Sequence, residues 1–250
     1  MTQLTSNFPV EALLLDIEGT TTPIDFVYKV LFPYAKENAF SFLTTHRSLP
    51  AVKEDIAGLL KENASDLQQG NAPPPIEGSS TNASIESVAN YVSWLIDRDR
   101  KTTPLKSLQG KIWEKGYRNG ELRSLVFEDV APAFKRWREQ GKGIFIYSSG
   151  SVLAQKLLFG STEAGDLTPL ISGYFDTNIG AKKESESYRR IAAELNLNGP
   201  SIMFVSDVVD ELDAAASVGF QTVLCIRPGN PVQKASSSHD IKTTLDELFP

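Results

Sequence analysis

Three short, unbroken apolar runs stand out along the chain: Ala12–Leu15, Ile144–Tyr147 and Ile202–Val205. Each stops abruptly at polar residues, namely Asp16, Ser148 and the pair Ser206-Asp207. Runs of this length without alternation predict strands buried on both faces, as in a parallel sheet. A fourth run, Thr222–Ile226, predicts one more strand. Between the runs the spacing becomes helical. Ser151–Leu158 follows the second run. Ser185–Leu195 places Tyr188, Ile191, Ala192 and Leu195 on one face, with Ser185 as N-cap. Val209–Val218 ends at Gly219, and Asp240–Phe249 is expected to close the chain as a helix. Strands alternating with helices predict an open α/β sheet, which binds ligands beyond the carboxyl ends of its strands.

The stretch 23–125 reads differently. Val52, Ile56, Leu59 and Leu60 form one apolar helical face. Ile85, Val88, Ala89, Val92, Leu95 and Ile96 form another, with Ser84 as N-cap and Glu86 near the positive helix end. Leu105, Leu108, Ile112 and Trp113 predict a third. Gln68–Pro75 and Gly78–Asn82 are rich in Pro, Gly and Ser and read as loops, and Lys234–Ser238 reads as a surface loop. The expected organisation is an α/β domain, residues 1–22 and 126–250, interrupted after its first strand by a helical domain, residues 23–125.

Composition narrows the chemistry. The 250 residues carry 25 Lys and Arg against 31 Asp and Glu, a net charge of −6. Such a surface is a poor partner for nucleic acid or an anionic membrane. A single cysteine, Cys225, rules out an intrachain disulfide framework and reads as a small buried hydrophobe. His46 and His239 are the only histidines, which argues against a His-rich metal site or a His-based triad. No apolar run approaches a membrane span, and Ala12–Leu15 is too short for a signal-peptide core. The chemistry is expected to rest on carboxylates, lysine, serine and backbone groups.

Those groups gather at strand ends. Asp16 and Glu18 end the first strand, and Gly19 allows the sharp turn that would bring both into one cavity. One carboxylate can attack phosphorus while the other handles protons; the plainer alternative is a turn cap and a solvated glutamate. Ser148-Ser149-Gly150-Ser151 joins a strand end to a helix start, which suits an anion, although simple N-capping is the commoner use of such serines. Lys182 or Lys183, before a helix, could neutralise phosphate charge. Asp207 could join Asp16 around a hard cation such as Mg²⁺. Glu211, four residues further on, could orient a lysine or a metal-bound water, whereas Asp210 and Asp213 read as surface residues. Together these supply a nucleophile, anion donors, a cation and metal ligands, the parts needed for phosphoryl transfer.

The order of these parts resembles the haloacid dehalogenase superfamily of aspartyl-phosphate phosphohydrolases. Its D-x-D-x-T motif corresponds to Asp16-Ile17-Glu18-Gly19-Thr20, with Glu18 at the usual second Asp. Its strand-ending Ser or Thr corresponds to Ser148, its lysine to Lys182 and its strand-ending acid to Asp207. The glutamate is itself informative. D-I-E-G-T-T-T-P-I-x-F-V at 16–27 is similar to the enolase-phosphatase family of methionine salvage. So are L-K-S-L-Q-G-K-I-W-E-K-G-Y-R-N-G-E-L at 105–122, Y-S-S-G-S-V-L-A-Q-K-L-L-F-G at 147–160, K-E-S-E-S-Y at 183–188 and R-P-G-N at 227–230.

The resemblance implies a Rossmann-like doubly wound parallel sheet with a helical cap inserted after the first strand. It implies a small-molecule phosphate ester substrate, 2,3-diketo-5-methylthio-1-phosphopentane, enolised and then dephosphorylated with one Mg²⁺ per chain. Asp16 would be the nucleophile and Glu18 the acid and base. Asp16, Asp207 and Glu18, the last by backbone carbonyl or side chain, would hold the metal. Ser148, Ser149 and Lys182 would hold the phosphate. It further implies a monomeric cytoplasmic enzyme, with eukaryotic members entering the nucleus as well. Phe26, Trp94, Trp113 and Tyr117 are candidates for an apolar wall against the methylthio end, set against their commoner use as plain core. The alternatives are a general phosphatase of the same superfamily and a non-catalytic binding protein on this fold.

Overall fold

In a computed structural model of the chain, the described residues are 9–79, 82–230 and 238–250. The expected loop segments at 80–81 and 234–237 lie outside them. The chain divides into two compact units, Met1–Ile24 with Arg123–Pro250, and Asp25–Leu122. In chain order the elements are β1 (Ala12–Leu15), α1 (Ile24–Phe26) leading through a π-helical turn at Val27–Leu31 into α2 (Phe32–His46), then α3 (Pro50–Gln68), α4 (Ile85–Ile96) and α5 (Thr103–Arg118). There follow α6 (Val130–Glu139), β2 (Gly143–Tyr147), α7 (Val152–Gly160), β3 (Gly173–Phe175), α8 (Ser185–Leu195), β4 (Ile202–Ser206), α9 (Val209–Ala216), β5 (Gln221–Cys225) and β6 (Asp240–Lys242). No helix among the described residues is long and apolar enough to cross a membrane.

The first unit is built on a six-stranded sheet in the order β3-β2-β1-β4-β5-β6, with every pairing parallel. All four residues of β1 are buried, as a central strand covered on both faces requires. Alternate side chains serve opposite layers. Leu13 and Leu15 pack with Phe134 and Trp137 of α6 and Phe159 of α7. Ala12 and Leu14 pack with Tyr188 and Ile191 of α8, Phe204 of β4 and Leu212 of α9. The four apolar runs thus form β1, β2, β4 and β5.

The chain end departs from expectation. Ile241, Leu245 and Leu248 have helical spacing, yet 240–249 forms β6 and a 3₁₀ turn at Leu245–Glu247. Its first residues pair with β5 instead, Ile241 opposite Leu224, and side chains of α6 bind the carbonyls at its end. Trp137 Nε1 donates to Leu248 O at 3.0 Å, and Arg136 donates to the carbonyls of Leu245 and Phe249 at 3.1 and 2.9 Å. Ser185 is the first residue of α8 rather than its cap; Glu184 holds the cap position without a side-chain hydrogen bond. β3 is a three-residue edge strand whose Gly-Tyr-Phe sequence gives no run to detect.

The second unit is a helical cluster. Ser84 caps α4, its Oγ accepting from Ser87 N at 3.4 Å, and Val88, Val92 and Leu95 are buried at helical spacing. Of the candidate wall aromatics, Phe26 and Trp113 are buried, and Trp113 Nε1 donates to Leu31 O at 2.8 Å. Trp94 stacks on Tyr91 and carries the Arg98 guanidinium 4.1 Å above its ring.

A buried ion pair joins the residue before α6 to the loop after β5 and the segment after β6. Asp129 Oδ2 accepts from Arg227 Nη1 at 2.6 Å, Thr244 Oγ1 at 2.8 Å and Leu245 N at 2.6 Å. Burial by itself raises the Asp129 pKa, but the guanidinium, the Leu245 N–H and the Thr244 hydroxyl outweigh it and hold the carboxyl below its usual value. A lowered folded pKa stabilises the fold above the unfolded value of about 4 and withdraws that support as pH falls through the folded value. Asp129→Ala, which strands Arg227, is expected to cost about 3–5 kcal/mol in urea unfolding at pH 7. Asp129→Asn is expected to flatten the acid limb of the stability profile; an unaltered limb would contradict the assignment.

Candidate active site

β2, β1 and β4 are neighbours, with Leu15 opposite Ile146 on one side and Val205 on the other. Asp16, Ser148 and Asp207 therefore leave the sheet close together at its carboxyl edge. The strand order reverses between β1 and β4, the place where open α/β sheets form their ligand crevice.

Asp16 is 3% exposed. Its Oδ1 accepts from Ile17 N at 2.8 Å and from Lys182 Nζ at 2.6 Å. The same ammonium lies 2.6 Å from Glu211 Oε2, which also accepts from the Ser206 hydroxyl at 3.0 Å. Burial by itself would depress the Lys182 pKa; the Asp16 and Glu211 carboxylates more than offset this and hold it above its ordinary value. Glu211 is raised by burial and then by the charge of Asp16. Asp207 is pushed up to about 7, first by burial and then by Asp16, with Lys182 pulling the other way. Lys183 points elsewhere: it is exposed and pairs with Asp210 at 2.7 Å.

Glu18, half-buried, rides on the turn after β1. The amides of Thr20, Thr21 and Thr22 all donate to Ile17 O, at 3.2, 3.0 and 2.9 Å. Gly19 makes the turn with φ +77°, and a Cβ there would run into Asp207 Oδ2 and lie 2.9 Å from Asn230 Nδ2. Two side chains from the loop after β5 hold the turn from outside. Asn230 Nδ2 donates to Gly19 O at 2.8 Å and Arg227 Nε to Thr20 O at 2.9 Å.

On the β2 side, Ser148 is buried and its Oγ accepts from Gly150 N at 3.1 Å, which leaves the hydroxyl hydrogen to donate. Ser149 is half-buried on the same turn. Ser151 caps α7, its Oγ accepting from Ala154 N at 3.3 Å. Gln155, 1% exposed, donates to the carbonyls of Gly150 and Phe175 at 2.9 and 2.8 Å and so fixes the serine turn to β3.

Among the described residues no three His, Cys, Asp or Glu side chains are grouped to hold a metal ion. Two buried carboxylates from adjacent strand ends nevertheless fit Mg²⁺, which takes one or two carboxylates and completes its shell with water. Asp16, Asp207 and Glu211 face the single ammonium of Lys182, an excess of two negative charges when all are ionised. A divalent cation matches that excess.

Asp16, Lys182 and Asp207, expected from sequence to act together, are thus side by side, with Ser148 on the next strand. Gln155, Arg227 and Asn230 had no individual role in the sequence reading. Their function is to hold carbonyls, and only the R-P-G-N stretch hinted at two of them. His239 also went unread: it is buried between Thr222 Oγ1, at 2.8 Å, and Asp213 Oδ1, at 3.0 Å, and fastens β6 to β5 and α9.

Residues 10–219 match the family model for haloacid dehalogenase-like hydrolases. That is the class the sheet and its carboxyl-edge carboxylates define. The chain is 54% identical over 222 residues to enolase-phosphatase E1 of Synechococcus elongatus, covering 88% of this chain and 90% of the relative. It is 47% identical to enolase-phosphatase E1 of Xenopus tropicalis, covering 89% and 87%. The crystal structure of the UTR4 protein of Saccharomyces cerevisiae superposes with a TM-score of 0.75 at 34% identity, covering 96% of this chain and 100% of that one. The chain belongs to the enolase-phosphatase family and is a hydrolase of the phosphatase type.

Gly19→Ala tests the closeness of the turn to Asp207. The positive φ is expected to cost about 1–2 kcal/mol of stability. Displacement of Asp207 is expected to lower phosphatase turnover about a hundredfold, as misplacement by an ångström does elsewhere. A variant with native turnover would show that the contact is slack.

Proposed function

We propose that the protein is a Mg²⁺-dependent enolase-phosphatase that converts 2,3-diketo-5-methylthio-1-phosphopentane to the acireductone 1,2-dihydroxy-3-keto-5-methylthiopentene and phosphate, a step of methionine salvage. The names of its relatives support the reaction class. The observation that carries the chemistry is the Lys182 ammonium 2.6 Å from both Asp16 and Glu211, beside Asp207. It keeps a buried carboxylate oriented at the edge of the sheet where a phosphate can meet it.

In this reading Asp16 attacks phosphorus, an Asp16 O–P bond forms and the bond from phosphorus to the substrate oxygen breaks. Glu18 delivers its proton to that departing oxygen. Water then attacks the phosphorus of the aspartyl-phosphate, Glu18 takes back a proton, and Asp16 is restored as phosphate leaves. The Ser148 hydroxyl and the Ser149 amide hold the non-bridging oxygens; the Gly150 amide is already engaged by Ser148. Lys182 balances the added charge. One Mg²⁺ per chain would be held by Asp16, Asp207 and Glu18, the last through its backbone carbonyl or side chain, and when bound it offsets the repulsion between carboxylate and phosphate.

The test is an assay on the diketo phosphate that follows phosphate release together with the ultraviolet absorbance of the enediol, with Mg²⁺ and with EDTA. Both signals are expected with Mg²⁺ and neither with EDTA. Phosphate without the enediol would identify a general phosphatase instead. Asp16→Asn is expected to lower phosphate release roughly a thousandfold or more while the fold persists. Asp207→Ala is expected to raise the Mg²⁺ concentration needed for half-maximal activity, and an unaltered metal titration would contradict its role.

A further inference from the structure

The tip of Lys182 is fixed by Asp16 and Glu211, and its backbone is fixed by a separate set of groups. Three hydroxyls donate to three successive carbonyls. Tyr147 Oη reaches Gly180 O at 2.9 Å, Ser187 Oγ reaches Ala181 O at 2.7 Å and Tyr188 Oη reaches Lys182 O at 2.6 Å. The segment lies between β3 and α8, outside any ladder or helix, and Ala181 O also accepts from Glu184 N at 3.0 Å across a turn. It also comes very close to α8. Gly180 has φ +143°, and a Cβ there would collide with Ser187 Oγ.

The donors are rigidly mounted. Tyr147 and Tyr188 are fully buried, with their ring centroids 5.7 Å apart edge to face. Tyr188 also packs on Phe204 at 5.2 Å and Phe220 at 5.7 Å. Tyr147 is the last residue of β2 and the immediate neighbour of Ser148, so one strand end fixes both the serine and the lysine segment. A lysine side chain has four flexible carbon–carbon links. Holding its Cα in one place lowers the entropy lost when the ammonium settles between two carboxylates. Satisfying loop carbonyls would require no particular partner, and water usually serves at a loop. Here three core hydroxyls converge on consecutive residues that end at Lys182.

We propose that Tyr147, Ser187 and Tyr188 are positioning residues, a clamp of three hydroxyls that sets the Lys182 ammonium between Asp16 and Glu211 and ties it to the phosphate-binding serine turn through β2. The proposal rests on the assignment of Lys182 to the phosphate.

Tyr188→Phe and Tyr147→Phe each remove one oxygen and keep the ring, and Ser187→Ala removes the third donor. The experiment measures how fast acetic anhydride acetylates Lys182 in the intact protein, by mass spectrometry, with exposed Lys183 as internal reference. It then measures kcat and KM for the same proteins. The ratio of Lys182 to Lys183 labelling is expected to rise about tenfold in Tyr188→Phe while thermal unfolding stays cooperative, and kcat is expected to fall about tenfold or more, in line with the sensitivity of catalysis to small misplacements. The Tyr147→Phe/Tyr188→Phe double variant is expected to show a larger rise. Native protection of Lys182 and native kcat in well-folded variants would overturn the clamp. If Tyr188→Phe fails to fold, Tyr147→Phe and Ser187→Ala decide it by the same ratio. Absence of phosphatase activity in the unaltered protein would defeat the functional reading, yet the labelling ratio would still decide the clamp.

Discussion

A buried ammonium held between two carboxylates is the interaction on which the site depends. Taking Lys182, Asp16 and Glu211 out of water is costly, and close pairing offsets that cost only when the geometry is good. Both ion-pair distances of 2.6 Å meet the requirement. The arrangement has a consequence for the third acid. Lys182 is engaged on both sides, so Asp207 receives only its more distant field, and burial beside Asp16 pushes its pKa up to about 7. Surplus carboxylate at a sheet edge is the chemistry a hard divalent cation would match, as the proposed function requires.

The fold delivers these groups by ordinary means. Parallel register places the ends of β1, β2 and β4 together, and the reversal of strand order opens the crevice between β1 and β4. Beyond the strands, the irregular segments that carry the candidate site residues are held through their carbonyls. Asn230 and Arg227 hold the turn after β1, Gln155 holds the serine turn, and Tyr147, Ser187 and Tyr188 hold the lysine segment. Arg227 is anchored in turn by Asp129, which also binds Leu245 N near the chain end. Asp129 thus steadies both the segment before the chain end and, through Arg227, the turn after β1.

How much of this was legible in the sequence follows from what each feature depends on. β1, β2, β4 and β5 are apolar runs because both faces of the sheet are covered, so burial wrote them plainly. The residues that end those runs, Asp16, Ser148 and Asp207, were legible for the same reason, and the family resemblance, which places its lysine two residues before Glu184, selected Lys182 over Lys183. β3 was too short to leave a pattern. The segment 240–249 read as a helix because Ile241, Leu245 and Leu248 share helical spacing; its first residues instead extend the sheet beside β5, and Arg136 and Trp137, over a hundred residues away, bind carbonyls at its end. The carbonyl-holding side chains were illegible for the related reason that nothing local distinguishes a core tyrosine from one whose hydroxyl holds a distant loop carbonyl.

The most direct test of the central claim, that Asp16 is the charged nucleophile this ion-paired site keeps in place, is to quench the enzyme during turnover with borohydride, which reduces an acyl phosphate to the alcohol, and to sequence the product by mass spectrometry. Homoserine is expected at position 16, formed only while substrate is being consumed. Turnover with an unmodified Asp16, or reduction at another carboxylate, would contradict it.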